Sequence, residues 1–507
     1  MSVGPEPDAA ARHAGHGVTL ATGALLNVLA FLTSNLRGIF TFLVARLLGG
    51  PILGAFGVAW AIVDLASKFG TLGLDLNVMP FVARSAAAGE RAGTRAIFST
   101  ALSVAICASL VVAALGWLAV RTVGPVLGMR ADLITATAVM FLAVPGIALY
   151  RVSNGLSRGL KVMVHDVYSR GLTESLVTAA ALLVAVALGA RLLAPVYAAI
   201  AGTLASGLVA FALAARAFGW PSLEQASRQS AVRDLLRTSL PIAAYDLLNI
   251  GIMRIDVIML GLYAGRAPGV TLETLGIYAA CVETAGGLRK VSQAFTPILT
   301  PLLAEQIADN RVRDAEASYA CVARWMLAVL LPAVVVLAVS GGAILTVFGS
   351  TFHRGGVWVA IAGAACALNA FVGLGETILM IQRPIWNVLN TSIAFVAAVA
   401  LNLILIPMFG ALGAALGMLV PYMIQGLLRG YEITRLLGWR WPWRALLRPW
   451  SATLGALPAA LLVRMLGSGL GYELAAGASY LVAYFAIWRV LGLEPADKVI
   501  VAKLAGR

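Results

Sequence analysis

Charge is what this sequence has least of. Asp, Glu, Lys and Arg make up 12% of its 507 residues, about half the roughly 25% of an ordinary soluble chain. So few charges cannot cover a water-exposed surface, and 60% hydrophobic residues with a mean hydropathy of +0.90 mark an integral membrane protein. Histidine is scarcer still. His13, His16, His165 and His353 are scattered over a tail and loops, without metal-ligand or catalytic spacing, so no metal is expected. The four cysteines, Cys107, Cys281, Cys321 and Cys366, lie in apolar stretches with no paired spacing. That pattern excludes a disulfide framework and reads as small core residues. No glycine loop precedes a Walker lysine, and serine and histidine never share a nucleophile context, so neither an enzyme nor a cofactor is expected. Acidic residues are also few, 23 against 37 basic, for a formal charge of +14. No Lys/Arg tract or aromatic RNA-binding motif accompanies this excess. Nucleic acid is therefore not the partner expected, and a basic face beside anionic lipid is.

Long apolar runs are what the chain has in abundance. They recur from residue 18 to residue 491 with short polar breaks, each of about 20 residues or more and so able to cross a hydrocarbon core of about 30 Å as a helix. Breaking at Gly/Pro and charge clusters predicts helices near 18–46, 53–81, 94–120, 132–157, 166–190, 193–216, 237–263, 272–303, 319–349, 356–382, 385–408, 410–436, 445–466 and 472–491. The alternating, half-polar strands of an outer-membrane barrel are not seen. The fold class expected is an all-α polytopic membrane protein of about fourteen transmembrane helices. The first 17 residues lack the basic n-region and cleavage site of a signal peptide, so the first apolar helix is expected to be retained.

Basic residues give the orientation. With both termini cytoplasmic, one side of the membrane collects Arg84, Arg91 and Arg95; Arg151, Arg158, Lys161 and Arg170; Arg216, Arg228, Arg233 and Arg237; Arg311 and Arg313; and Arg429 through Arg448. An even number of spans thereby satisfies the positive-inside rule, and these runs read as solvated topogenic charge. The stretch GWRWPWRALLRPW, 438–450, sets Arg440, Arg444 and Arg448 among four tryptophans. It reads as an interfacial helix leading into the last two spans.

The chain repeats itself. LGAFGVAWAIVDLASK at 53–68 aligns with LGIYAACVETAGGLRK at 275–290, an offset of 222 that matches Leu53 with Leu275, Gly54 with Gly276, Phe56 with Tyr278 and Lys68 with Lys290. The same offset sets Lys161 against Arg383, and Arg37 against Arg254 once five loop residues are allowed. The organisation expected is a tail over 1–17, a six-helix N-lobe over 18–230, a six-helix C-lobe over 231–437, and a linker, two helices and a cytoplasmic tail over 438–507. Six spans per half make the lobes parallel repeats, which enclose a cavity at their interface. Charges within the spans mark the cavity wall.

At about 100° per residue, Asp64, Lys68 and Asp75 fall within about 40° of one another on one helix, a polar stripe. Glu283 and Lys290 share a face in the same way, with Arg289 beside it. In IGIMRIDVIMLGLYAG, 250–265, Arg254 and Asp256 are about 200° apart and cannot pair locally. Asp246 can share a broad face with Arg254, which otherwise takes its partner from another helix, water or a ligand. Asp256 is expected to tie its helix to a neighbour. Arg37 has no acidic neighbour at i±3 or i±4, and Glu376 stands isolated among Gly373, Gly375 and Thr377.

ARLLGGPILGAFGVAWAI at 45–62, NGLSRGLK at 154–161, RIDVIMLGLYAG at 254–265 and LGIYAACVE at 275–283 resemble the oligosaccharide flippases of the polysaccharide-biosynthesis family. Their superfamily also holds the lipid II flippases and the multidrug and toxin extrusion transporters. The resemblance covers most of 18–437, and fourteen spans fit the polysaccharide and lipid II branches better than the twelve usual for drug extruders. It implies a V-shaped pair of lobes that alternate access, with the first, second, seventh and eighth helices lining the cavity. The substrate implied is an undecaprenyl-pyrophosphate-linked oligosaccharide, carried from the cytoplasmic to the outer leaflet of the inner membrane for surface polysaccharide assembly. On this reading Arg37, Lys68, Arg254, Arg289 and Lys290 bind the pyrophosphate, because guanidinium pairs bidentately with phosphate oxygens. Asp64, Asp246, Glu283 and Glu376 are the candidates for a coupling H+ or Na+. A polysaccharide polymerase and chain-length proteins are the partners it implies. A lipid II flippase, a cation-coupled drug or metabolite antiporter and an inactive membrane scaffold stay open as alternatives.

Overall fold

The computed structural model describes residues 38–221 and 229–492. Among them every regular element is helical, and eleven helical stretches are long and apolar enough to cross a membrane. All eleven coincide with expected spans, from 53–81 to 472–491, with ends shifted by up to seven residues. Two expected spans fall outside that set. The helix covering 237–263 carries Asp246, Arg254 and Asp256, and the stretch 272–303 is broken. The span near 18–46 lies mostly outside the described residues, which begin within it as the helix α1, Gly38–Leu48.

The helices from there on are α2 (Gly50–Thr71), α3 (Leu74–Ala87), α4 (Arg91–Val126), α5 (Ala131–Met140) and α6 (Val144–Gly159). A π-helical turn over Val167–Glu174 leads into α7 (Ser175–Ala187), followed by α8 (Ala194–Phe218). Then come α9 (Gln229–Leu262), α10 (Leu272–Gly286), α11 (Lys290–Ala308), α12 (Val312–Leu345) and α13 (Gly356–Gln382). The last are α14 (Pro384–Phe409), α15 (Ala411–Tyr431), α16 (Trp443–Leu466) and α17 (Leu470–Leu491).

The chain divides into two compact units. The first comprises Met1–Leu43, Ala66–Arg121 and Ala136–Ala244, and the second Val44–Leu65, Thr122–Thr135 and Tyr245–Arg507. In the first, Leu74, Val78 and Val82 of α3 pack with Phe98, Leu102, Val152 and Leu156 into one apolar core. Small residues set the helix spacing there: a Cβ on Gly155 would come within 2.5 Å of the Asp75 carbonyl oxygen, so α6 lies directly on the α3 backbone. In the second unit the same device joins the two copies of the sequence repeat. A Cβ on Gly54 would lie 2.8 Å from the Gly276 nitrogen, and one on Gly276 would overlap the Gly50 carbonyl. The repeat-matched glycines of α2 and α10 therefore meet each other, backbone against backbone.

Two expected stripes are interrupted by changes in the backbone. Leu72 and Gly73, with φ of 51° and 75°, are left-handed and end α2 before Asp75 begins α3. Glycine is required at 73, since a Cβ there would sit 2.6 Å from the Ser239 carbonyl oxygen. Between Glu283 and Lys290 the helix tightens to a 3₁₀ turn over Gly287–Arg289. Three residues at 120° rather than 100° turn the face by about 60°, which moves Lys290 from about 20° on one side of Glu283 to about 40° on the other. Of the cysteines, all free, Cys281 and Cys366 are buried as expected, whereas Cys107 is exposed and Cys321 half-buried.

Candidate functional site

Arg254 is held by Asp64. Its Nε and Nη2 donate to one carboxylate oxygen, Oδ2, at 3.0 and 2.8 Å. The Arg254 side chain keeps 22% of its surface exposed and that of Asp64 7%. The register follows from the helix crossing. A Cβ on Gly261 would lie 2.6 Å from Val58 Cγ1, so α9 and α2 touch at that level. Six residues onward from Val58 and seven back from Gly261 are each about 10 Å along the axis, which brings Asp64 and Arg254 level on helices running in opposite senses. The acid that pairs with Arg254 is thus neither Asp256 nor Asp246 of its own helix.

Asp256 points elsewhere, as a separation of about 200° requires. It is fully buried, and Oδ2 accepts from the Tyr278 hydroxyl of α10 at 2.6 Å. The carboxylate therefore ties α9 to α10. Its second oxygen, Oδ1, is buried with no hydrogen-bond donor among the described residues.

Glu376 is not isolated. Tyr245 donates to its Oε1 at 2.5 Å, and Arg429 Nη2 stands 3.2 Å from Oε2. Arg429 is 3% exposed and also donates to the Val372 carbonyl at 3.3 Å. This corrects the reading of Arg429 as solvated topogenic charge: it is a buried counter-ion that joins α15 to α13. Its signal in the sequence is its position inside the last helical turns of an apolar run, ahead of Gly430, rather than beyond it.

The remaining candidates are spread over the two units. In the first, Lys68 donates to Asp75 Oδ2 at 3.2 Å across the left-handed break, with side chains 12% and 7% exposed. Arg151, expected among the topogenic charges, is half-buried and donates to Ser67 at 3.0 Å. In the second, Asp246 and Lys290 are half-buried and Glu283 is exposed. Arg289 is half-buried, and its Nη1 is buried with no acceptor among the described residues. Arg37 lies outside the described residues. Sequence reasoning did not single out Tyr245, Arg429 or Arg151. Among the described residues no three His, Cys, Asp or Glu side chains are grouped to hold a metal.

A partly exposed guanidinium held through one carboxylate oxygen can exchange that oxygen for those of another anion. The family model described as polysaccharide biosynthesis protein matches residues 20–306, more than half of the chain. The chain belongs to this family. Among curated protein sequences none matches it. Its fold is similar to that of the lipid II flippase MurJ in an inward closed conformation, with a TM-score of 0.70 at 12% identity over 92% of this chain and 98% of that one. It is also similar to an inward-facing multidrug resistance MATE family transporter of the MOP superfamily, with a TM-score of 0.66 at 16% identity over 80% and 95%. A MOP superfamily transporter from Pyrococcus furiosus, described for the reverse polarity of its binding pocket, follows at 0.51 and 14% over 81% and 95%. At these identities the likeness is one of fold. The chain is a multi-pass membrane protein with the flippase-type transporter fold of the polysaccharide-biosynthesis family.

Proposed function

We propose that this protein moves an undecaprenyl-pyrophosphate-linked oligosaccharide from the cytoplasmic to the outer leaflet of the inner membrane by alternating access. The observation that carries the reading is the Arg254–Asp64 pair. A cation placed inside a span without structural need would destabilise the fold, yet Arg254 is partly exposed and its two donors share a single acceptor. A pyrophosphate offers several oxygens to the same fork, at about 1.5–3 kcal/mol for a hydrogen bond to a charged group. Asp64 holds the guanidinium while the site is empty and yields it to the substrate. Arg37, matched to Arg254 by the repeat, supplies a second guanidinium. Lys68, Arg289 and Lys290 add positive potential. No covalent step is part of this cycle, so the protein acts as a carrier and not as an enzyme.

The excess of basic residues on one set of loops supports an inner-membrane orientation with both termini cytoplasmic. A coupling H+ or Na+ would be taken by Asp64, Asp246, Glu283 or Glu376. Of these, Asp64 and Glu376 each already hold an arginine, Arg254 and Arg429. A polysaccharide polymerase and chain-length proteins would take the product.

The test is flipping of defined lipid-linked saccharides by the full chain in reconstituted vesicles. Arg254→Ala is expected to lower the rate by at least tenfold, the equivalent of about 1.4 kcal/mol of lost phosphate binding. Arg254→Lys should keep part of it, having charge without the fork. Wild-type rates in both Arg254→Ala and Arg37→Ala would sink the assignment. Transport of lipid II in preference to the oligosaccharide carrier would move the protein to the peptidoglycan branch.

A further inference from the structure

The second unit contains a cavity of about 440 Å³ between α12, α13 and α15, and its wall is almost entirely apolar. It runs from Ala364 to Gly375 along α13, eleven residues or roughly 16 Å. That is about one leaflet of a ~30 Å hydrocarbon core. At the ~30 Å³ that a water-sized group occupies in a liquid, it holds on the order of fifteen methylenes. This volume admits one hydrocarbon chain. It is too small for an oligosaccharide on its carrier and too narrow for a helix, which with side chains is about 10 Å across.

The wall has one charged member, beside the hydroxyl-bearing Tyr319 and the indole of Trp441. Arg429 lines the cavity, is 3% exposed, and its Nε is buried with no acceptor among the described residues. An occupant that brought an acceptor oxygen to Nε would satisfy it, which a pure hydrocarbon cannot do. Trp441 closes the end of the cavity nearest the Trp/Arg-rich segment, its ring over Gly430. In the sequence segment that carries Trp441, Arg435, Arg440 and Arg444 are exposed. The order from inside to outside is therefore apolar slot, buried donor, interfacial tryptophan, exposed arginines. A glycerophospholipid has the matching order of acyl chain, ester carbonyl, backbone and phosphate.

We infer that the groove between α13 and α15 is a binding site for one anionic glycerophospholipid of the surrounding bilayer, distinct from the transported lipid. Its acyl chain fills the slot, an ester carbonyl accepts from Arg429 Nε, and its phosphate lies among Arg440 and Arg444. Because Arg429 also holds Glu376, the bound lipid fixes the counter-ion of that acid.

The experiment is native mass spectrometry of the full chain in detergent, with phosphatidylglycerol and phosphatidylethanolamine added in equal amounts. One phosphatidylglycerol should be retained, preferred by roughly tenfold, since each arginine near a surface contributes modestly to anionic-lipid binding. Gly430→Leu should abolish retention. A Cβ at 430 has Trp441 ring atoms at 3.8 and 4.0 Å, so it is accommodated while the rest of the side chain enters the slot. The double substitution R440Q/R444Q should keep a lipid but lose the headgroup preference. It keeps the proposal testable should Gly430→Leu fail to fold. Equal retention of both headgroups by the wild-type chain, or unchanged retention by Gly430→Leu, would overturn the inference. So would stronger retention of undecaprenyl phosphate, which would make the groove part of the transport route, or a dimer that Gly430→Leu dissociates.

Discussion

Two carboxylates of the second unit, Asp64 and Glu473, each hold an arginine, and they differ in the kinds of donor that reach them. Glu473, near the start of α17, accepts from the Ala343 backbone N–H at 2.8 Å, pairs with Arg464 at 3.1 Å and stands 3.2 Å from His353 Nε2. Ser340 donates to its carbonyl at 2.6 Å. Both carboxylate oxygens are used, by groups from α12, α16 and the turn before α13. Around Glu473 a backbone donor and two side chains from three elements converge, and the outcome is a clamp. At Arg254 two donors crowd one oxygen of Asp64 and the guanidinium keeps partial exposure. A carboxylate that holds a backbone N–H together with side chains of several elements fixes those elements to one another, whereas a guanidinium that reaches one carboxylate oxygen of another helix can exchange it for a ligand's oxygens.

Glu473→Ala gives the largest expected effect. It leaves the buried Ala343 N–H without its acceptor and removes the anchor that docks the α16–α17 hairpin on α12. The cost is expected to be about 2–3 kcal/mol, most of it from the orphaned backbone donor, because Arg464 and His353 are 41% and 46% exposed and their charges are screened. Thermal unfolding of the full chain in detergent reads this. Flipping per folded molecule should be unchanged; a loss of transport without a loss of stability would break the distinction between clamp and site.

Tyr278→Phe is expected to cost about 1–2 kcal/mol. It removes the 2.6 Å donor from Asp256, which is fully buried and whose other oxygen has no donor among the described residues. Asp256 is nonetheless a clamp on this argument, since its single bond joins adjacent helices and no water-exposed surface remains. Lower stability with transport intact is the outcome that agrees; intact stability with transport lost would make Asp256 a site residue.

Much of this was legible in the sequence, and what was not has physical reasons. Apolar run lengths located the helices, because a ~30 Å slab forces about 20 residues per crossing whatever the packing. The repeat paired Gly54 with Gly276, and these are the residues at which α2 and α10 touch. Helical phase separated the duties of Arg254 and Asp256. Phase did not anticipate the changes of pitch at Leu72–Gly73 and at Gly287–Arg289, because a left-handed or 3₁₀ turn leaves hydropathy almost unaltered, although Lys68 and Asp75 still meet across the first of them. Arg429 and Arg151 were assigned to loops for a related reason. Charge counting places a residue along the membrane normal within a turn or two, and it carries no information on which neighbouring helix supplies Glu376 or Ser67.

The smallest predicted effect is also the one that reaches the site itself. In Asp64→Asn the side chain keeps its size and one carbonyl oxygen, so Arg254 retains an acceptor while losing the charge that competes with phosphate. Substrate bearing a pyrophosphate then displaces a neutral amide instead of a carboxylate. Its affinity should rise by up to about tenfold, equivalent to about 1.4 kcal/mol, within the range of a charge-assisted hydrogen bond. Turnover should fall, because tighter holding of the loaded state slows release, so binding and flipping move in opposite directions. Equilibrium binding of a soluble prenyl pyrophosphate analogue, measured beside flipping on the same preparation, separates the two. If Asp64 were a clamp like Glu473, both would decline together with thermal stability.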